Sequence, residues 1–93
     1  MKIEYDPAKR AKTLRERGLD FEDAREVFAG EQFTFEDDRF DYGEQRFFTV
    51  GEVNGQLVGM VWTPRGCACR IISMRRIREN EIEKIKRRVR MGR

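Results

Sequence analysis

The dipeptide Asn54-Gly55 constrains the fold of this chain more than any other feature of its sequence. It separates two segments of strand-like composition, residues 46–53 and 56–63. Asn-Gly is the strongest signal for a two-residue hairpin turn, because both residues tolerate the positive φ angles that this turn requires. A further strand-like segment, residues 69–74, follows the turn at Pro64-Arg65-Gly66. Three consecutive strands with short connections predict an antiparallel meander.

Helix signals stand on both sides of these strands. Asp6-Pro7 supplies a capping carboxylate and a proline for the first helical position, and Gly18 ends that helix. A second helix is expected from Asp20 to Gly30, and a third over residues 79–90, where the acidic residues come early and the basic ones late. We therefore expect one α+β domain over residues 1–93.

Apolar residues in the helices predict how they pack. Stripes at helical spacing occur in the first and last helices, at Ala8, Ala11 and Leu14 and at Ile82, Ile85 and Val89. Lys2–Tyr5 is expected to form a short edge strand, and Phe33-Thr34-Phe35 another short strand. The predicted architecture is two N-terminal helices packed on a twisted antiparallel sheet with a C-terminal helix. The helices are expected to cover one face of the sheet and to leave the other partly open.

Charge is divided unevenly along the chain. Residues 1–64 carry a net charge of -5, whereas residues 65–93 carry 11 Lys or Arg against 3 Asp or Glu, a net of +8. Such a basic segment suits RNA, DNA or an acidic protein, and a solvated basic helix is the alternative. The chain contains no histidine, so acid–base chemistry would fall to carboxylates, Lys, Tyr, Cys or Arg.

The remaining composition restricts location and cofactors. The chain becomes charged immediately after Met1 and has no apolar run of membrane length, so neither a signal peptide nor a membrane span is expected. Cys67 and Cys69 are too few for a zinc site, and a disulfide between them would constrain little. We expect no metal, no cofactor and a reducing cytoplasm.

Arginines lie at the predicted strand ends. Arg70 opens and Arg75 closes the last strand, Arg46 enters an earlier one, and Arg65 lies in a turn. A guanidinium group binds an oxygen anion through paired hydrogen bonds and does not deprotonate. Because Arg46 and Arg75 end strands of one meander, we expect them to be near neighbours. The arrangement suits phosphate binding, and a surface network of arginine and glutamate is the alternative.

Phosphodiester cleavage also needs a base for the attacking hydroxyl and stabilisation of the charge that develops. Glu44 is the candidate base, although it could equally orient Arg46, and Lys9 is a candidate for charge stabilisation. Trp62 and Tyr42 are candidate platforms for base stacking, with core packing as the alternative for Trp62. Ser73 is expected to be a hydrogen-bonding core residue.

Five short motifs occur in a fixed order: Tyr5-Asp6-Pro7-Ala8-Lys9, Arg17-Gly18-Leu19-Asp20-Phe21, Tyr42-Gly43-Glu44-Gln45-Arg46, Val61-Trp62-Thr63-Pro64-Arg65-Gly66 and Arg70-Ile71-Ile72-Ser73-Met74-Arg75. Their order and spacing resemble the BrnT family, small ribonuclease toxins with a RelE-like fold that pair with a DNA-binding BrnA antitoxin. Arg17 and Phe40 stand where that family commonly has histidines. If either histidine acts in cleavage, this chain uses Arg17 instead or has lost activity.

The resemblance implies a toxin that cleaves RNA and so inhibits translation and growth. Because the chain has no histidine and only scattered carboxylates, we expect cleavage without a metal. In the expected reaction the RNA 2′-hydroxyl attacks the adjacent phosphate. The implied catalytic residues are Glu44, Arg46, Arg70 and Arg75, and the implied RNA contacts are Lys9, Arg17, Arg65 and Arg76. The implied partners are RNA and a BrnA-like antitoxin in a hetero-oligomer, with DNA bound only through the antitoxin. The alternative function is a non-catalytic basic module that binds an acidic protein or a nucleic acid.

Overall fold

The structure is a computed structural model that describes residues 1–39 and 41–91, with the side chains of all of these except residues 88–91. Phe40 and the side chain of Val89 lie outside this part. The elements in chain order are β1 (Lys2–Tyr5), α1 (Pro7–Arg17), a 3-10 turn (Phe21–Asp23) leading into α2 (Ala24–Ala29), β2 (Phe33–Glu36), β3 (Phe47–Val53), β4 (Gln56–Arg65), β5 (Ala68–Arg76) and α3 (Glu79–Met91).

The helix ends follow the predicted capping residues. The Asp6 carboxylate accepts a hydrogen bond of 2.9 Å from the Ala8 amide, and Gly18 ends α1 with a φ of 69°. The second predicted helix opens as a 3-10 turn, in which the Asp20 carboxylate accepts from the Glu22 amide at 3.0 Å. Both predicted helix starts are confirmed because each uses a local side-chain cap.

Polar contacts, not the predicted apolar stripe, hold α1 in place. The helix has no buried residue, and Leu14 is 45% exposed. Arg10 instead donates two hydrogen bonds, of 2.8 and 3.0 Å, to the Asp20 carboxylate, and this guanidinium lowers the pKa of Asp20. Arg17 donates to the Met74 carbonyl oxygen at 2.7 Å, which ties the end of α1 to β5. The helix is therefore fixed mainly by two arginines.

The strands form one five-stranded sheet in the order β1-β5-β4-β3-β2. Strands β2 to β5 pair antiparallel, which confirms the predicted meander, and Asn54 and Gly55 turn the β3–β4 hairpin with φ angles of 51° and 78°. The prediction of a wholly antiparallel sheet is wrong, because β1 pairs parallel with β5 from Lys2 opposite Ala68 to Tyr5 opposite Ile71. Helices α1 and α2 carry the chain from β1 at one edge of the sheet to β2 at the other edge, and this connection gives β1 its direction.

One face of the sheet, the core face, packs against the N-terminal helices. Val58, Met60 and Ile71 on this face are at most 1% exposed, as is Val27 of α2. Helix α2 approaches β3 so closely that a Cβ on Gly51 would lie 2.8 Å from Cγ1 of Val27. The hydrophobic core therefore fills the space between α2 and the sheet.

The opposite face, the open face, carries Phe33, Phe35, Phe48, Val61 and Ser73 at paired or alternating positions of four strands. Helix α3 borders this face, because Ile82 and Ile85 line grooves together with its residues. The expectation that the helices share one face therefore fails for α3. The open face is therefore bordered by the terminal helix and carries a groove described next.

Candidate functional site

A groove lies between α1 and the exposed edge of β5, here called the edge groove. It exists because β1 pairs with β5 only as far as Ile71, so the rest of β5 meets α1 instead of a strand. The groove measures about 170 Å³, and its lining consists of Lys9, Lys12, Thr13, Glu16, Arg17, Ile72 and Ser73. Three of these side chains are cationic and one is acidic, so the groove favours an anionic ligand.

A second groove of about 190 Å³, the face groove, crosses the open face. Its lining consists of Phe35, Asp37, Arg39, Phe48, Gly59, Val61, Ser73, Arg75 and Ile85. Ser73 lines both grooves, so the two meet at this residue. Its side chain is half-buried and forms no hydrogen bond within the described part of the chain. The expectation of a hydrogen-bonding core serine is therefore wrong.

Arg75 extends from β5 beside this junction, where it donates a weak hydrogen bond of 3.4 Å to the Arg76 carbonyl oxygen and makes two further contacts. Its guanidinium group donates a hydrogen bond of 2.8 Å to the Glu81 carboxylate, and its central carbon lies 5.9 Å from the centre of the Phe48 ring. The side chain is 47% exposed. Arg75 also lowers the pKa of Glu81, because the hydrogen bond and charge favour the ionised carboxylate. Arg75 thus offers an accessible guanidinium group, and Glu81 is its single carboxylate partner among the described side chains.

An ion pair between the buried Asp37 carboxylate and the half-exposed Arg39 closes the other end of the face groove. The Asp37 carboxylate accepts hydrogen bonds of 2.8 and 2.9 Å from Arg39, and Tyr42 donates to it at 3.4 Å. Asp37 is only 4% exposed, and the adjacent guanidinium group lowers its pKa. Neither residue of this pair was expected in the site. The available signal was the alternation Phe33, Phe35, Asp37, which places the carboxylate on the same face as the two aromatic rings.

Glu44, Arg46 and Arg65 form a separate cluster where β3 begins. Glu44 accepts from Arg46 at 3.1 Å, lies 3.7 Å from a guanidinium nitrogen of Arg65, and is 30% exposed. Arg46 also stacks on Tyr42, with 4.1 Å from its central carbon to the ring centre. Arg70 lies at this same end of the sheet, since it pairs with Thr63, whose hydroxyl donates to the Gln45 carbonyl oxygen at 2.7 Å.

The predicted residues are therefore divided among three places. The expectation that Arg46 and Arg75 are near neighbours is wrong. Arg75 of β5 pairs with Gly59 of β4, and Gly59 pairs with Val50 of β3, which lies four residues beyond Arg46. That offset corresponds to about 13 Å along the strand. Lys9 and Arg17 lie in the edge groove, Arg75 lies in the face groove, and Arg76 is exposed, with a guanidinium nitrogen 3.7 Å from where a Cβ on Gly18 would lie.

The structure also changes which aromatic residues are candidates for base stacking. Trp62 packs on the core face, where its ring centre lies 5.3 Å from Phe28 and its indole N–H donates to Thr49 at 2.8 Å. Tyr42 contacts Arg46 and Asp37. The aromatic rings that line a cationic groove are those of Phe35 and Phe48, which the sequence did not distinguish from core phenylalanines.

A larger groove, of about 690 Å³, lies at the opposite end of the sheet and includes Glu26, Glu31 and Glu52 in its lining. Its acidic rim disfavours a polyanion, so the two smaller cationic grooves are the better candidates for nucleic acid. Among residues 1–39 and 41–91, no three His, Cys, Asp or Glu side chains are arranged to hold a metal ion. The described helices also include none long and apolar enough to span a membrane.

Comparison with known protein families identifies the family of the chain. The family described as "Ribonuclease toxin, BrnT, of type II toxin-antitoxin system" matches residues 5–81. The chain belongs to the BrnT family. The match spans every residue of the edge groove and all of the face groove except Ile85. A search of curated proteins finds no match. As a BrnT toxin of a type II system, the chain has an antitoxin protein as its partner.

Proposed function

We propose that this BrnT toxin binds single-stranded RNA across the edge groove and the face groove and cleaves it beside Ser73. The observation that carries the proposal is that Ser73 lines both grooves, with Lys9 and Arg17 on one side and Arg75 on the other. A strand that crosses this junction meets cations before and after it. Family membership supplies the chemistry, RNA cleavage, and the junction supplies a place for the scissile phosphate.

The proposed reaction is metal-independent transesterification. The 2′-hydroxyl oxygen attacks the adjacent phosphorus and the bond to the 5′-oxygen breaks. The leaving 5′-oxygen takes a proton from solvent water, so the products carry a 2′,3′-cyclic phosphate and a 5′-hydroxyl. Arg75 neutralises the charge that develops on the non-bridging oxygens, because its planar fork can bind two of them. The phosphate then replaces Glu81 as the partner of Arg75.

The proton of the 2′-hydroxyl needs an acceptor near the phosphate. We assign this role to Glu81, whose carboxylate lies 2.8 Å from Arg75 and is released when the phosphate takes its place. Glu44, the base expected from the sequence, is instead held by Arg46 and Arg65. That cluster, with Arg70 and Arg76, is proposed to hold phosphates that flank the cleaved one.

The test measures cleavage of a labelled single-stranded RNA by the purified chain in EDTA, and the salt dependence of its binding. Lys9→Ala with Lys12→Ala should reduce the slope of log K against log salt by about 1.4, since each phosphate contact on a single strand contributes about 0.7. Lys2→Ala with Lys84→Ala is the matched control, because both lysines are exposed and lie outside the two grooves.

Three kinds of result would contradict the proposal. Strict dependence on magnesium, or products that end in a 3′-hydroxyl, would exclude this transesterification. RNA binding without any cleavage would support the non-catalytic basic module instead. An equal loss of slope in both double variants would show that general charge, and not the edge groove, determines the binding.

A further inference from the structure

The ring of Phe48 lies along the sheet because Gly59 leaves room for it. A Cβ on Gly59 would lie 2.6 Å from Cζ of Phe48 and 2.8 Å from Cδ1 of Ile77. Phe48 belongs to β3 and Gly59 to β4, where Phe48 pairs with Val61, so the ring reaches diagonally across the neighbouring strand. An aromatic ring in this orientation forms part of the floor of the face groove.

The walls of the face groove suit a flat ligand. The Phe35 ring centre lies 5.4 Å from that of Phe48 with the two planes tilted by 40°, and Ile85 of α3 lines the groove with them. Both phenylalanines are half-buried, and neither belongs to the buried core cluster. The groove thus holds apolar and aromatic surface that the core does not use.

Charged groups stand at the two ends of this aromatic surface. The guanidinium carbon of Arg75 lies 5.9 Å from the Phe48 ring centre, and Ser73 lies beside it in the lining. At the other end, the Asp37 carboxylate bonded to Arg39 offers both hydrogen-bond acceptors and donors. An apolar ligand would make no polar contact with these groups. A nucleotide matches them better, because it has a flat ring, a polar ring edge and a phosphate.

We infer that the face groove is a base-binding slot, which takes one unstacked base of single-stranded RNA and stacks it on Phe48. This base belongs to a nucleotide next to the scissile phosphate, so the inference rests on the proposed function and adds a substrate subsite to it. Stacking accepts any base, because every base has an aromatic face. The slot explains how a chain without histidine positions its substrate: Phe48 fixes the base while Arg75 holds the phosphate.

The experiment compares RNA oligonucleotides that contain the mapped cleavage site with versions that have an abasic residue on either side of it. For the unmodified chain, one of the two abasic substrates should lower kcat/KM by about ten- to a hundredfold, as expected for the loss of one stacked base. Phe48→Leu keeps the apolar packing against Gly59 and removes the aromatic face. In this variant the intact and abasic substrates should be cleaved at similar rates.

Phe33→Leu is the matched control, because Phe33 lies on the same face but outside the face groove. Ile85→Trp provides a second test that leaves the sheet unchanged, since it fills the slot from α3 and should raise KM. Equal sensitivity of Phe48→Leu and the unmodified chain to the abasic residue would overturn the slot while leaving the ribonuclease function intact. Absence of cleavage in every case would instead refute the proposed function.

Discussion

Replacement of Arg75 by alanine tests the proposed site most directly. The side chain is 47% exposed and forms one ion pair of 2.8 Å, with Glu81. An exposed pair of this kind contributes roughly 0–1 kcal/mol to stability. The transition state depends on Arg75 more strongly, because loss of a charge-assisted contact to the reacting phosphate costs about 2–4 kcal/mol. We therefore expect kcat to fall roughly 30- to 1,000-fold while the fold is retained.

Single-turnover cleavage of a labelled RNA gives the rate, and thermal unfolding followed by circular dichroism reports the fold. Arg75→Lys should recover part of the rate, since it restores the charge but not the planar fork. Arg15→Ala is the control, because Arg15 is exposed on α1 outside both grooves. Its kcat should remain within about twofold of the unmodified chain.

Full activity in a folded Arg75→Ala variant would remove this residue from the reaction. An equal loss in Arg15→Ala would attribute the effect to general charge. The variant Glu81→Gln tests the role of Glu81 separately. It removes the proposed base and also the charged partner of Arg75. If Glu81 accepts the proton, kcat falls while RNA binding is kept; an unchanged or higher kcat would return the role to Glu44.

Three further predictions concern stability and inhibition. Gly59→Ala should lower the free energy of unfolding by about 1–3 kcal/mol in urea titrations, because the new Cβ forces Phe48 and Ile77 to move; an unchanged midpoint would contradict the close packing. Arg39 lowers the pKa of Asp37, so the stabilisation from this pair is complete above roughly pH 4 and is lost as the pH falls through the lower folded-state pKa. Arg39→Ala should cost about 2 kcal/mol at neutral pH and flatten that acid dependence, and equal acid sensitivity in the variant would refute the assignment. The antitoxin should cover Arg65, Arg70 or Arg75 and associate more slowly at high salt, whereas salt-independent association with all three arginines exposed would indicate inhibition from a distance.

Much of the fold was predictable because its signals are local. The turn at Asn54 and Gly55, the cap at Asp6 and the helix end at Gly18 each depend on backbone preferences within a few residues. The short connections between three consecutive strand-like segments likewise predicted the meander. The ordered motifs allowed the BrnT family to be recognised before any contact was known.

The location of the predicted cations relative to one another was not predictable in this way. Periodicity places a residue on one face of a strand but does not fix its neighbours, which depend on register. The β4–β5 pairing shifts register at Val61/Trp62. Arg75 lies level with Val50 of β3, four residues beyond Arg46. The sequence suggested that these arginines form one phosphate-binding group. In the structure, Arg46 belongs to a cluster at one end of the sheet, whereas Arg75 lies in the face groove.

The sequence by itself therefore determined the elements, their capping residues and the basic character of the last third. Only the tertiary structure decided that β1 pairs parallel with β5 and stops opposite Ile71, which leaves Ser73 between two grooves. It also decided that Asp37 is buried against Arg39 beside two phenylalanines. The pairing of β1 with β5 and the contact between Phe35 and Phe48 join segments that are distant in the chain, and their geometry follows from packing around the shared core rather than from local preference.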